Sequence, residues 1–218
     1  MANCCPLPTA IPTFTANGCE INLNQVHRVW VVREGQVIFD ISTPANNLPS
    51  PTITSLPPEG EAAWTALSTL TDSGKVGLLP LFGGDPAITP GDEITFGGGD
   101  NTTLNGKRQH IGFNPSDFVA RFDGMSAAQE DEINDLTCEG DALEVFLILH
   151  DKRIVGNIDL DDTNNLFTGI PLESALVLLG RNVAGFQSKD SNTINFQLNK
   201  DWSRLMYIVT PTFNTLTF

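Results

Sequence analysis

Thiols and imidazoles are the side chains of this sequence that could hold a metal ion or act as nucleophiles. Cys4 and Cys5 are adjacent, Cys19 follows after a short interval, and Cys138 is distant. Zinc sites usually repeat a Cys-x2–4-Cys spacing, which this chain lacks. The three histidines are scattered along the sequence: His27, His110 and His150. We therefore expect neither a metal site nor a cofactor.

The redox state of the thiols follows from the N-terminal residues. Met1–Pro8 has neither the basic segment nor the apolar segment of a secretory signal, which indicates synthesis in a reducing compartment. Reduced thiols are the default expectation, and an internal disulfide stays open. A third interpretation is that thiols on a mobile N-terminal arm reach a neighbouring subunit: Cys4, Cys5 and Cys19.

Three other segments have a weak similarity to functional motifs. Gly97-Gly98-Gly99 lacks the Lys-Ser/Thr pair of a phosphate-binding loop, so we interpret it as a turn. The acidic segment that begins at Asp159 has Asn164 and Ile170 where a calcium loop needs glycine and glutamate, which favours a solvated turn. No nucleophile elbow is recognisable. We expect that the protein is not an enzyme and has no catalytic residues.

Charge is distributed unevenly along the 218 residues. The chain has a formal net charge of −14, and residues 121–165 contain twelve acids and three bases, a net charge of −9. Such acidity argues against sequence-specific nucleic-acid binding, and the absence of 18 consecutive apolar residues argues against a membrane helix. The cluster is either a solvated helix face or a surface that repels a passing polyanion. Its members are Glu130, Asp131, Glu132, Asp135, Asp159, Asp161 and Asp162.

The elements that must position these residues are mostly strands, because glycine, proline, threonine and asparagine are frequent. Val26–Val32 and Val37–Ile41 predict a hairpin, and Asn105-Gly106 predicts another between 102–104 and 107–111. Leu143–Leu149 is the most hydrophobic strand. The other predicted strands are 76–82, 116–122, 154–158, 175–179, 193–198 and 206–209.

Two helices are predicted. One covers 59–70. The other begins after Ser126 and ends at Gly140. Ser126 and Gln129 are expected to form a capping box at its start. The core-facing residues expected around this second helix are Met125, Ile133, Leu136 and Cys138.

The pattern predicts a mainly β fold with one or two short helices, an antiparallel β-sandwich or barrel. We expect an extended N-terminal arm at 1–18 and a single β-rich domain at 19–218 with a long loop at about 42–58. Arm and loop are rich in proline, and we expect both to contact neighbouring subunits. The predicted core residues are Trp30, Val32, Phe39, Phe122, Leu136, Val145, Leu147 and Ile208.

This order of elements resembles that of bacteriophage tail tube (major tail) proteins. The matching features are the arm, the hairpin at 26–41, the long loop, and the capped helix followed by the strand 143–149. The resemblance implies a virion structural protein, made in the host cytoplasm, that stacks as rings around a DNA conduit. It implies homo-oligomerisation and contacts with other virion proteins, and the acidic cluster would line the channel.

Two other functional classes stay open. One is a capsid-decoration, connector or glycan-contacting virion protein, and the other is a non-viral soluble β-domain. Rings or tubes of the purified protein would favour the tail tube, whereas monomers that bind capsids or glycans would favour the second class.

Overall fold

The computed structural model describes residues 23, 25–41, 57–84, 86–97, 108–140, 142–159, 166–183 and 189–218. The helices are α1 (Glu61–Thr69) and α2 (Ala127–Thr137). The strands are β1 (Val26–Arg33), β2 (Phe39–Asp40), β3 (Gly77–Leu78), β4 (Ala87–Thr89), β5 (Glu93–Phe96), β6 (Gln109–Phe113), β7 (Ser116–Asp123), β8 (Leu143–Leu149), β9 (Ile154–Asp159), β10 (Leu166–Thr168), β11 (Ile170–Pro171), β12 (Val177–Leu178), β13 (Ser191–Leu198) and β14 (Met206–Val209).

The strands form two sheets and a separate ribbon. Sheet A has the order β2-β10-β9-β8-β1-β3, with β11 also paired to β8 and β14 to β9. Sheet B has the order β12-β13-β7-β4, and β5 pairs with β6 as a two-stranded ribbon. Within the described residues, every strand pair is antiparallel. The predicted mainly β, antiparallel fold with two short helices is confirmed.

Strand β8 lies at the centre of sheet A and is buried on both faces. Val145 and Leu147 belong to a first core that also contains residues of sheet B. Phe146 and Ile148 point the other way, into a second core with helix α1. Because both faces are covered, the sequence of β8 is apolar at every position except Glu144 rather than alternating.

The first core joins the two sheets face to face as a sandwich. Along β7, Phe118, Ala120 and Phe122 are buried, whereas Val119 between them points outward. Phe118 stacks on Phe196 of β13, with ring centroids 4.5 Å apart and planes 13° from parallel. This period of two is typical of a strand with one buried face, and it confirms the predicted strand at 116–122.

The second core is built around the indole of Trp64 on α1. Its ring centroid lies 4.7 Å from that of Trp30 and 5.1 Å from those of Phe39 and Phe146. Its Nε1 donates a hydrogen bond to the Pro58 carbonyl, which satisfies the one polar atom of the ring. Aromatic packing therefore holds the helix on sheet A.

Most of the predicted core is confirmed. Six of its members are buried: Trp30, Val32, Phe39, Phe122, Val145 and Leu147. Leu136 and Ile208 are only partly buried and pack against the edge of the first core.

The predicted hairpin at 26–41 is wrong. A turn does follow β1, with Gly35 at φ 67° and a hydrogen bond from the Gln36 amide to the Arg33 carbonyl. However, β1 pairs with β8 on one side and β3 on the other, and the returning segment shortens to β2, which pairs with β10. Strand β8 is longer and more apolar than the returning segment 37–41, and it pairs with β1 in place of that segment.

Other boundaries also differ. Two strands that the sequence did not predict, β4 and β5, lie between α1 and β6, and β6 pairs with β5. The predicted partner segment 102–104 lies outside the described residues. The predicted strands 76–82 and 175–179 shorten to β3 and β12. Asn105-Gly106, the arm 1–18 and residues 42–56 lie outside the described residues.

Candidate assembly surfaces

Helix α2 has the predicted capping box. The Ser126 hydroxyl accepts a hydrogen bond from the Gln129 amide, and the Gln129 side chain accepts one from the Ser126 amide at 3.0 Å. Met125 and Ile133 are buried, as expected. Cys138 is exposed, so its predicted place in the core is wrong: the helix ends at Thr137, and Cys138 is its C-cap residue.

The predicted acidic cluster divides between different elements. Glu130 on α2 forms an ion pair with Arg181, whose pKa is raised by this contact. Within the described part of the chain, the exposed carboxyls of Asp131, Glu132 and Asp135 form no ion pair. Asp159 ends β9 in sheet A, and Asp161 and Asp162 lie outside the described residues. A role for these acids in lining a channel stays a prediction, because it concerns an assembly.

Of the four thiols, only Cys138 belongs to the described residues. Cys4, Cys5 and Cys19 lie outside them, and inter-subunit contacts by these thiols stay a prediction.

The β5–β6 ribbon is the most exposed regular element that the structure describes. Glu93 pairs with Phe113 and Phe96 with Gln109, and the register shifts after Ile94 because Ile111 is an extra residue opposite that point. Four large apolar side chains on it are 40–63% exposed: Ile94, Phe96, Ile111 and Phe113. An isolated two-stranded ribbon is at best marginally stable in water, so this one lacks the packing that would hold it.

The base of the ribbon is closely packed. The Asn114 amide donates a hydrogen bond to the Asp92 carbonyl at 2.9 Å, just below the first strand pair. A Cβ at Gly91 would lie 2.1 Å from the Asn114 carbonyl oxygen, so only glycine allows the two chains to meet there. On the ribbon itself, His110 Nδ1 lies 3.0 Å from a carboxylate oxygen of Glu93. Backbone contacts therefore hold the ribbon at its base, whereas its large apolar side chains are exposed along its length.

Sheet B has a second exposed apolar region. Its edge strand β12 and the segment after it carry Val177, Leu179 and Val183, which are 37%, 46% and 72% exposed. The ribbon connects to sheet B at the opposite edge, because β4 precedes it and β7 follows it. The two apolar surfaces thus belong to opposite edges of one sheet, and we name them the ribbon surface and the β12 surface.

A groove of about 640 Å³ lies between the β3 side of sheet A and helix α2. Leu79, Ile133 and Leu136 are among its apolar residues, and the Arg33–Glu139 ion pair contributes to its charged lining. Its lining includes neither histidine nor cysteine.

Glu144 is the buried acid of sheet A that sequence reasoning missed. Its two carboxylate oxygens accept hydrogen bonds from the backbone amides of Gly35 and Gly169, at 3.1 and 3.2 Å. Desolvation by burial raises the pKa of this carboxyl to about 7, and the two amides counteract that effect only in part. Glu144 joins the turn after β1 to the start of β11. These contacts give Glu144 a structural role. The apolar sequence around it gave no indication that it would contact Gly35 and Gly169.

Two histidines that are distant in sequence also meet. His27 Nε2 and His150 Nδ1 lie 3.0 Å apart, because the pairing of β1 with β8 brings their backbones together. Their separation of 123 residues gave no sequence signal. The pair has no third such side chain beside it: within the described ranges, no group of three or more histidine, cysteine, aspartate or glutamate side chains is arranged to hold a metal ion.

Neither helix of the described residues is long and apolar enough to cross a membrane. Comparison with known proteins adds no family to these observations: no protein-family model, no curated protein and no solved structure matches this chain.

Proposed function

We propose that this protein is a structural subunit of a virion, a phage tail tube protein that assembles into stacked rings around a DNA conduit. The observation that carries the proposal is the ribbon surface, with four large apolar side chains 40–63% exposed on an element that pairs with neither sheet of the described chain. Ile94 and Phe96 lie on one face of the ribbon and Phe113, opposite Glu93, on the other, and large apolar side chains exposed on both faces are typical of an element that a partner covers.

The other copy of the chain is the partner that the surfaces favour. Residues 174–183, which include the β12 surface, contain one base, Arg181, and no acid, although the whole chain has a net charge of −14. The ribbon segments contain Asp92 and Glu93 against Arg108, a net charge of −1 with neutral His110. Because Arg181 is already paired with Glu130, the β12 surface is close to neutral and the ribbon carries little net charge. The two surfaces can therefore meet without the repulsion expected between other faces of so acidic a protein.

The positions of the two surfaces favour a ring over a dimer. A ribbon that bound the ribbon of another copy would close a twofold dimer, and both β12 surfaces would stay bare. A ribbon that binds the β12 surface of the next copy leaves its own β12 surface free for the copy before. Repetition of that contact gives a ring or a helical tube.

The exposed carboxyls of α2 are compatible with a DNA conduit. Asp131, Glu132 and Asp135 carry negative charge that no described cation neutralises. An acidic wall prevents phosphate contacts, which are the main source of nonspecific DNA affinity. Duplex DNA could then pass without adhering.

Assembly of ribbon variants tests the proposal. We expect the purified full-length protein to form rings or tubes in negative-stain electron micrographs and large species in light scattering. The double variant Phe96→Thr, Ile111→Thr keeps β-forming residues on exposed positions, so it should stay folded and lose assembly. The matched control is Leu81→Thr, since Leu81 is 47% exposed and lies outside the ribbon.

The outcomes are distinct. Tubes from the control and monomers from the ribbon variant would support the proposal. A monomeric wild-type protein that binds capsids or glycans would replace it with the decoration class, and unchanged assembly of the ribbon variant would exclude the ribbon as the contact.

A further inference from the structure

We propose that His27 and His150 form a binding site for a divalent transition-metal ion at the end of sheet A. Imidazole nitrogens are preferred ligands of zinc, copper and nickel. Two nitrogens bound side by side to one such ion, each about 2.0–2.1 Å from it, lie roughly 3.0–3.4 Å apart. His27 Nε2 and His150 Nδ1 are 3.0 Å apart, which meets this requirement before any ion is bound.

A β-bulge places the first histidine. Val26 pairs with Leu149 and Arg28 with Ile148, so His27 is an extra residue in β1 without a partner in the register. Bulges reorient a side chain relative to the regular alternation of a strand. Here the bulge turns the His27 imidazole toward the residue that follows β8, which is His150.

Backbone hydrogen bonds hold both residues in place. The His150 amide donates to the Gln25 carbonyl at 2.8 Å, and the His27 carbonyl accepts from the Phe82 amide at 3.0 Å. Hydrogen bonds therefore hold the backbone of both ligands, and little backbone conformational entropy remains to be lost when an ion binds.

The two imidazoles form a tilted pair that is partly exposed to solvent. Their ring centroids are 4.8 Å apart and their planes differ by 35°. His150 is exposed and His27 is half-buried, so one side of the pair faces solvent. Water would fill the coordination positions that the two nitrogens leave open.

The proton balance is simple. In the ion-free pair, one ring donates an N–H to the other ring nitrogen. Coordination needs both lone pairs, so the ring protons then reside on His27 Nδ1 and His150 Nε2, and the shared proton moves there through solvent. Two neutral imidazoles bind the ion without net release of a proton.

Nickel titration of the full-length protein tests the site. The thiols are first alkylated with iodoacetamide, because the four cysteines could bind the same ion. Calorimetry at about pH 7.5, where imidazole is mostly neutral, is compared among wild type, His27→Gln, His150→Asn and the control His110→Gln. Gln and Asn retain a polar atom near the position of the lost nitrogen, and circular dichroism verifies that each variant is folded.

We expect the wild type and His110→Gln to bind one Ni²⁺ with similar affinity, and either site variant to lose roughly tenfold or more. In the NMR spectrum of the assembly-deficient variant Phe96→Thr, Ile111→Thr, paramagnetic Ni²⁺ should broaden the ring signals of His27 and His150 and leave those of His110 sharp. Equal affinity of wild type and both site variants would overturn the proposal, as would broadening confined to His110. The NMR measurement changes neither histidine, so a site variant that fails to fold does not prevent the test.

Discussion

The Glu144 carboxyl makes the stability of the protein depend on pH. Its pKa is about 7 in the folded protein, against 4.5 for an ordinary glutamate. The folded state therefore binds more protons between these values, so the contribution of this carboxyl to the free energy of unfolding is fully present below about pH 4.5 and is lost as the pH rises through about 7. The difference corresponds to roughly 3 kcal/mol.

Urea unfolding between pH 5 and about pH 8 measures this effect. Glu144→Gln cannot ionise, so its stability should vary less with pH than that of the wild type, although one backbone amide loses its acceptor. The exposed Glu132→Gln is the control and should keep the wild-type slope. Equal slopes for Glu144→Gln and the wild type would contradict the assignment.

Leu147 tests the position of the first core. It is fully buried in β8, so Leu147→Ala should reduce the free energy of unfolding by about 2–5 kcal/mol. The exposed Leu81→Ala should change it by less than about 0.5 kcal/mol. A loss below that value for Leu147→Ala, measured by denaturant titration, would show that the core lies elsewhere.

Among the elements, the stability of helix α2 depends on its N-cap residue, Ser126. Ser126→Ala removes the acceptor for the Gln129 amide and should cost about 1 kcal/mol in the free energy of unfolding. Ser126→Thr keeps the hydroxyl and should retain most of that stability. Helical circular dichroism and thermal unfolding measure both variants, and equal losses for Ala and Thr would point to packing rather than capping.

The elements that the sequence predicted correctly are those with local signals. Leu143–Leu149 and Met206–Val209 have the predicted bounds, and Ser126 with Gln129 forms the predicted capping box. Strand pairing is a nonlocal property, and it is where prediction failed. The predicted turn after β1 is present, but β1 pairs with the distant strand β8 rather than with the segment that follows the turn.

The candidate surfaces were harder to predict for the same reason. Exposure of Phe96 and Phe113 depends on the absence of a covering layer, and a strand pattern is the same whether or not one is present. His27 and His150 meet only because two strands pair and one of them bulges. The acids of α2 were located correctly, since a capped helix exposes its polar side wherever it packs.

At the scale of the whole molecule, the proposed conduit predicts how much duplex DNA the tubes retain. The variant Asp131→Lys, Glu132→Lys, Asp135→Lys reverses three exposed charges without removing a described ion pair. If these residues face the channel, tubes of the variant should retain duplex DNA at low salt and release it as salt rises, because counterion release governs phosphate binding. Wild-type tubes should retain none.

A matched variant separates the channel from the outer wall. Glu34→Lys, Glu61→Lys, Asp72→Lys changes the charge equally at positions outside α2, and it too removes no described ion pair. Equal DNA retention by both variants, or an assembled structure with the α2 carboxyls outside, would leave the acidity of α2 as a determinant of solubility alone.

The pairing of β1 with β8 has a consequence for the nascent chain. The paired residues run from Arg33 with Leu143 to Val26 with Leu149, which are 110 to 123 positions apart. At roughly 5–20 residues per second, a ribosome needs about 5–25 seconds to reach β8 after it has made β1. Throughout that interval β3 can pair with one edge of β1, but the edge that β8 will occupy has no partner strand, and neighbouring nascent chains on one messenger offer the same unpaired edge. Slow translation before Leu143 should therefore favour aggregation, and a chaperone that holds extended apolar segments should favour the native pairing.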